Sequence, residues 1–166
     1  SVQVNRFIRK ADTNFLIGSP AFEARDEKIL YFNRAYMLNQ FSIVTGSYDK
    51  NHLVPFGEYV PFEEYLFFLG KMVAQVSDFS AGDAGFIPLK FKEHKTGVII
   101  CFEILFPHIT SKFVKNGADM LITITNDAWF GKTAAPWQHF SLSVFRAVES
   151  RRSLVRAANT GISGFI

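Results

Sequence analysis

The stretch Gly97-Val98-Ile99-Ile100-Cys101-Phe102-Glu103-Ile104-Leu105-Phe106-Pro107 decides the fold. Four residues without a charge run into the only cysteine of the chain, and a proline six positions later marks a helix start. A strand therefore hands its last residue into a turn and a helix, the connection of a sheet with helices packed on it. A thiol at that junction lies near the amide end of a helix, whose partial positive charge favours thiolate, and a stiff element aims it. A free cysteine in an apolar strand also serves elsewhere as a small hydrophobe, so its neighbours decide the reading.

About fifty residues upstream, Tyr48-Asp49-Lys50-Asn51-His52-Leu53-Val54-Pro55-Phe56-Gly57-Glu58-Tyr59-Val60-Pro61-Phe62 sets a lysine, a histidine and a glutamate among apolar and turn residues. A single lysine is usually a solvated cation. Beside a cysteine, a partly desolvated one stabilises an oxyanion or delivers a proton to a leaving group. Downstream come Thr125-Asn126-Asp127-Ala128-Trp129-Phe130-Gly131 and Pro136-Trp137-Gln138-His139.

These four segments, in this order, resemble the carbon-nitrogen hydrolase (nitrilase) superfamily, and within it the branch that acylates bacterial lipoproteins. The resemblance spans nearly the whole chain. It implies a Glu-Lys-Cys triad, with Cys101 the acylated nucleophile and Lys50 the residue that stabilises the tetrahedral intermediate. Glu58 matches a glutamate supporting the lysine and cysteine, and Glu103 and Trp129 match further residues needed around the thiol. Phe102, Trp129 and Phe130 are the expected substrate-binding side chains, the aromatic loops lining an acyl-chain entrance. A phospholipid acyl donor, a bacterial apolipoprotein acceptor and no cofactor are implied. So is a place on the extracytoplasmic face of the bacterial inner membrane, reached through transmembrane helices outside this sequence.

Two positions depart from the pattern. The triad glutamate of the family lies in a Pro-Glu motif at a strand end, and no such motif precedes Lys50. The only earlier glutamates, Glu23 and Glu27, fall in Phe22-Glu23-Ala24-Arg25-Asp26-Glu27-Lys28, read as a solvated hairpin loop. The chain is expected to lack its general base. Phe102 stands where the branch commonly has tyrosine, which keeps a ring to pack and removes a hydroxyl.

Of the 166 residues, 48% are hydrophobic, enough for one domain over residues 1–166 with a buried core. A net charge of +3, with basic residues dispersed, argues against nucleic acid as a partner. The one dense group, Arg146, Arg151, Arg152 and Arg156, reads as helix-end charges paired with Glu149 in preference to a lipid-headgroup site. One cysteine excludes an internal disulfide, and His52, His94, His108 and His139 lack metal-ligand spacing. No apolar run is long enough to span a membrane or form a signal-peptide core.

The order of elements reads as an opening helix, then a hairpin of 14–19 and 28–38, then a strand over 41–48 that leaves Lys50 at its end. Pro61 opens a helix with an apolar stripe through Phe62, Tyr65, Leu66, Leu69, Met72 and Val73. Strands over 86–91 and 96–101, a helix over 106–116 and a strand over 119–125 follow, then a helix over 137–150, amphipathic through Phe140, Val144, Ala147 and Val148. Strands over 153–158 and 161–166 finish the chain. Strands interleaved with helices suggest a two-sheet sandwich with helices outside. The resemblance implies the same α/β (α+β) class, a nitrilase-like four-layer αββα sandwich, here expected to be truncated at both ends. Two other functions share these residues: a soluble amidase, in which water resolves the thioester, and a non-catalytic binding module.

Overall fold

A computed structural model describes residues 2–59 and 79–166. Helix α1 (Val2–Ala11) leads into a sheet of three antiparallel strands, β1 (Phe15–Arg25), β2 (Lys28–Leu38) and β3 (Val44–Asp49), with β2 central. Strands β1 and β2 pair along their whole lengths, from Phe15 opposite Leu38 to Arg25 opposite Lys28. Only Asp26 and Glu27 turn the chain, at φ 47° and 65°, the left-handed pair whose twist matches that of the flanking strands. The seven-residue solvated loop expected here is therefore corrected. Phe22–Arg25 remain in the strand, and Glu23 is ion-paired to Arg25 and Arg34. Hydrogen bonds first from Arg34 and then from Arg25 hold its carboxyl below the ordinary range.

The second sheet has the order β4-β5-β6-β7-β8. Its centre, β5 (His94–Ile100), β6 (Met120–Thr125) and β7 (Leu154–Ala158), is parallel; its edges, β4 (Leu89–Phe91) and β8 (Gly164–Phe165), are antiparallel. Parallel neighbours need crossovers, and helices supply both. A 3-10 turn (Cys101–Leu105) and α2 (Pro107–Lys115) join β5 to β6, and a 3-10 turn (Asp127–Phe130) and α3 (Ala135–Ser150) join β6 to β7. A Cβ built on Gly97 would lie 2.8 Å from both Leu121 Cδ2 and Phe113 Cβ, so α2 packs onto β5 only because that position is glycine. The outer strands β4 and β8 are shorter than the sequence suggests, since each has one neighbour in the sheet and few ladder bonds to hold it.

The sheets lie face to face. Gly18 of β1 points at Ile124 of β6, Gly46 of β3 points at Leu89 of β4, and Ala35, Met37 and Tyr48 share a buried core with Val98, Ile99, Ile100 and Leu121. Helix α1 covers the far side of the first sheet, with the Phe7 ring edge-on to Phe15 at 5.6 Å and Ile8 fully buried. Helices α2 and α3 cover the far side of the second, giving the four layers α, β, β, α. The helix expected after Pro61 lies outside the described residues.

Helix α3 departs from its apolar pattern. The buried side is His139, Ser143, Arg146 and Ala147, while Val144 and Val148, expected inside, are exposed along with Trp137 and Phe145. Arg146 explains part of the rotation: it donates to the Leu105 carbonyl at 3.1 Å beneath the helix and keeps the expected pairing with Glu149 at 2.9 Å. Among the described residues, no helix is long and apolar enough to cross a membrane.

Candidate active site

Strand β3 delivers Lys50 to the interior end of the first sheet, where its N–H donates to the Asn33 carbonyl at 2.9 Å. The side chain is 1% exposed, and its Nζ meets Glu58 Oε2 at 2.5 Å. A buried ammonium needs such a partner, because desolvation without one costs several kcal/mol, on the order of the whole stability of a domain. Glu58 can serve because the chain doubles back at Phe56 (φ 59°), where the Phe56 N–H meets the Tyr59 carbonyl. Its carboxylate also accepts from Val54 N–H and from Asn33 Nδ2, both at 2.9 Å, so it is fixed from three directions.

Cys101 begins the 3-10 turn after β5 with φ 52°, a left-handed conformation that costs a non-glycine residue about 1–2 kcal/mol. It is half-buried. Two residues on, Glu103 is fully buried and accepts four hydrogen bonds. Its Oε2 takes the Ile100 N–H at 2.8 Å, while its Oε1 takes the Asn51 and His52 N–H groups at 2.8 and 3.1 Å and the Tyr48 hydroxyl at 2.9 Å. One carboxylate thus ties the residues just after Lys50 to the residue just before Cys101, across the space between the sheets. Burial pushes the Glu103 carboxyl pKa up against the pull of these four donors, and it pushes the Tyr48 phenol up as well.

Around this centre lie three rings expected to touch substrate. Phe102 packs edge-on against Phe106 with centroids 5.8 Å apart, so the ring in the position of the usual tyrosine has a neighbour without its hydroxyl. Phe106 also lies against His52 at 3.9 Å, and burial, then His108, then Lys50 push the His52 imidazole below its usual range. Phe130 stands edge-on to His139 at 5.7 Å, and Trp129 is 83% exposed.

Three residues of the site escaped the sequence reading as a unit. Asp127, buried at the end of β6, accepts from Arg156 at 2.7 Å and Thr125 Oγ1 at 3.0 Å and faces His139 Nδ1 at 2.9 Å. His139 Nε2 lies 3.2 Å from the Cys101 carbonyl oxygen. Arg156 is 1% exposed, which corrects its place in a surface arginine group: it lies on β7 beneath the site. The available signal was a charge inside the apolar strand Leu154-Val155-Arg156-Ala157-Ala158, since such a charge needs a buried counter-ion. Gly161 (φ 103°) lets the following loop pass over the Asp127 carboxylate, where a Cβ would collide with it. Among the described residues, no group of three or more His, Cys, Asp or Glu side chains is placed to hold a metal ion.

This chain, whose sandwich sets a cysteine at a strained strand-to-helix turn and ties the segment after a buried Lys-Glu pair to that turn through Glu103, is matched by a family model. The chain belongs to the carbon-nitrogen hydrolase family, whose model covers residues 3–165. It is 47% identical over 164 residues to an apolipoprotein N-acyltransferase of Geobacter metallireducens, which covers 99% of this chain and 31% of the relative. It is 45% identical over 123 residues to that of Pasteurella multocida, covering 74% of this chain and 24% of the relative. The chain therefore spans about a third or less of the relatives it matches. Among solved structures, a carbon-nitrogen hydrolase from Helicobacter pylori superposes with TM-score 0.65 at 20% identity over 97% of this chain and 51% of that one. A mutant of a Nesterenkonia amidase with an acetamide moiety on its active-site cysteine superposes with TM-score 0.67 at 18% identity, over 99% of this chain and 57% of that one. At those identities the structures establish the fold alone.

Proposed function

We propose that this chain carries the nucleophile and oxyanion-stabilising lysine of an enzyme that moves an acyl chain from a phospholipid to the N-terminal amine of a bacterial lipoprotein. The observation that carries the reading is the Glu103 carboxylate, which holds the Lys50 segment against the Cys101 turn with four hydrogen bonds. Sequence identity of 47% to a relative named for this reaction favours it over amide hydrolysis. The Cys101 thiolate attacks the ester carbonyl of the phospholipid, and Lys50 faces the oxyanion. Collapse expels the lysophospholipid alkoxide, which takes a proton, and leaves a thioester. The lipoprotein amine then attacks the thioester, gives up a proton and releases the thiol.

Neither buried glutamate is free to move those protons. Glu58 holds Lys50, Val54 N–H and Asn33, and Glu103 is committed to its four donors. The general base is a carboxylate other than these two. Phe102, Phe130 and the exposed Trp129 form the rim that receives the acyl chain. The extracytoplasmic face of the inner membrane is the proposed place of the reaction, as the resemblance to the lipoprotein-acylating branch implies.

The test is Cys101→Ala in the full-length protein, given phospholipid and a lipopeptide bearing the diacylglyceryl-cysteine amine. Loss of both acyl transfer and the trapped thioester is expected. A variant that still becomes acylated, or a wild type that hydrolyses small amides and transfers nothing, would overturn the reading.

A further inference from the structure

The geometry points to His139 as a positioning residue for the nucleophile: it donates its Nε2 proton to the backbone carbonyl of Cys101 and so fixes and polarises the peptide that follows the thiol. The inference rests on Cys101 being the nucleophile, as proposed above.

A carbonyl can only accept, so the His139 nitrogen 3.2 Å from it carries the proton whichever state the rest of the ring adopts. The other nitrogen lies 2.9 Å from an acceptor, Asp127 Oδ1, to which it donates when protonated, and 3.2 Å from a donor, Arg156 Nη2, from which it accepts when not. Burial first, and then Arg156, push the imidazole below its usual range, while the bonds to Asp127 and to the Cys101 carbonyl pull it back up. The ring has little freedom. It is 3% exposed, Asp127 and Arg156 hold its inner edge, and Phe130 stands against it.

The carbonyl needs this clamp because Cys101 is strained. Its φ of 52° persists only where the surroundings over-determine it. Glu103 does so on one side through the Ile100 N–H, and His139 does so on the other through the Cys101 carbonyl. Two buried side chains, one bonded to the N–H of the residue before the nucleophile and one to the carbonyl after it, thus bracket Cys101 along the chain. The peptide that His139 grips ends in the N–H of Phe102, in the first turn of a 3-10 helix, where N–H groups lack partners within the helix. Donation to the carbonyl end of a peptide strengthens its N–H as a donor. A donor directly after a nucleophile is placed to meet an oxyanion formed on it.

The experiment compares the full-length wild type with His139→Leu, His139→Gln and Asp127→Asn. Its readout is the rate at which iodoacetamide alkylates Cys101 at fixed pH, followed by mass spectrometry of the Cys101 peptide, with thermal unfolding measured alongside. His139→Leu should alkylate about tenfold more slowly, the scale of one lost hydrogen bond, and His139→Gln, which keeps a donor near the Nε2 position, should recover most of the rate. Asp127→Asn, which leaves the ring but loosens its seat, should fall between them and carries the test if the leucine variant does not fold. A wild-type rate in both His139→Leu and Asp127→Asn, or equal slowing in the leucine and glutamine variants, would overturn the role of the donor. Because alkylation needs no lipid, a His139-dependent thiol in a protein that transfers no acyl group would overturn the proposed reaction and leave the positioning role standing.

Discussion

Glu103 shows how much one buried side chain can organise. All of its partners donate, so an amide in its place would turn a donor toward at least one buried N–H or hydroxyl. Glu103→Gln should cost about 1–3 kcal/mol in urea unfolding, the penalty of one unpaired buried group, and should slow acylation of Cys101 by loosening the Lys50 segment. The histidines give the site an acid limit. The folded pKa values of His52 and His139 lie below the ordinary value of 6.5, so in that interval the unfolded chain binds more protons than the native one. Stability is then complete above 6.5 and is lost as pH falls through the lowered values. Glu103 acts in the opposite sense: its raised pKa weakens the fold as pH climbs from 4.5 through the raised value. His52→Gln leaves the Glu103 contribution in place, so the drop in melting temperature between pH 7 and pH 5 should be smaller in that variant than in the wild type. An equal drop would show that His52 is not lowered in the folded state.

At the scale of elements, α3 and β5 make opposite demands on size. Gly97 of β5 has no room for a methyl group between Leu121 and Phe113, so Gly97→Ala should destabilise by about 1–3 kcal/mol. Val148 of α3 is 70% exposed despite its place in the apolar pattern, so Val148→Ser should change stability by no more than about 0.5 kcal/mol. Urea unfolding of the two variants checks both. A large loss from Val148→Ser would mean that the apolar flank of α3 is covered in solution. The helix turns its polar side inward because His139 and Arg146 find carbonyl and carboxylate partners there, and a buried hydrogen-bonding group left without one costs more than an exposed valine.

For the whole molecule, the site exists only where the two sheets meet. Lys50 and Glu58 belong to the first sheet and the loop after it; Cys101, Glu103, Asp127 and Arg156 belong to the second and its crossovers. Because Glu58 and Glu103 are committed, we propose that the base lies outside the 166-residue chain, which expressed by itself should transfer acyl groups about a hundredfold to ten-thousandfold more slowly than the full-length protein, the usual range for loss of a general base. Matched assays with phospholipid and lipopeptide in the same detergent decide this. Comparable turnover would put the base within this chain, with Glu58 or Glu103 as the first candidates.

Local pattern was enough for the strand-turn-helix around Cys101, the existence of the hairpin, the central strands of the second sheet and the four motif segments, because residue periodicity and turn chemistry act over a few positions. Lys50, Glu58, Glu103 and Cys101 were singled out instead by the resemblance carried in the short stretches that hold them. The seven-residue hairpin loop was misread because Glu23 is neutralised by Arg34, eleven residues from it in the chain and beside it only across the strand pair. Arg156 was misplaced and His139 left without a place for a related reason: their partner Asp127 lies 29 and 12 residues away in the chain. Sequence alone determined the order of the elements and the candidate residues. Only the tertiary structure decided which charges are buried and which side of α3 faces in, since a buried charge is tolerated or not according to partners that folding brings from distant segments.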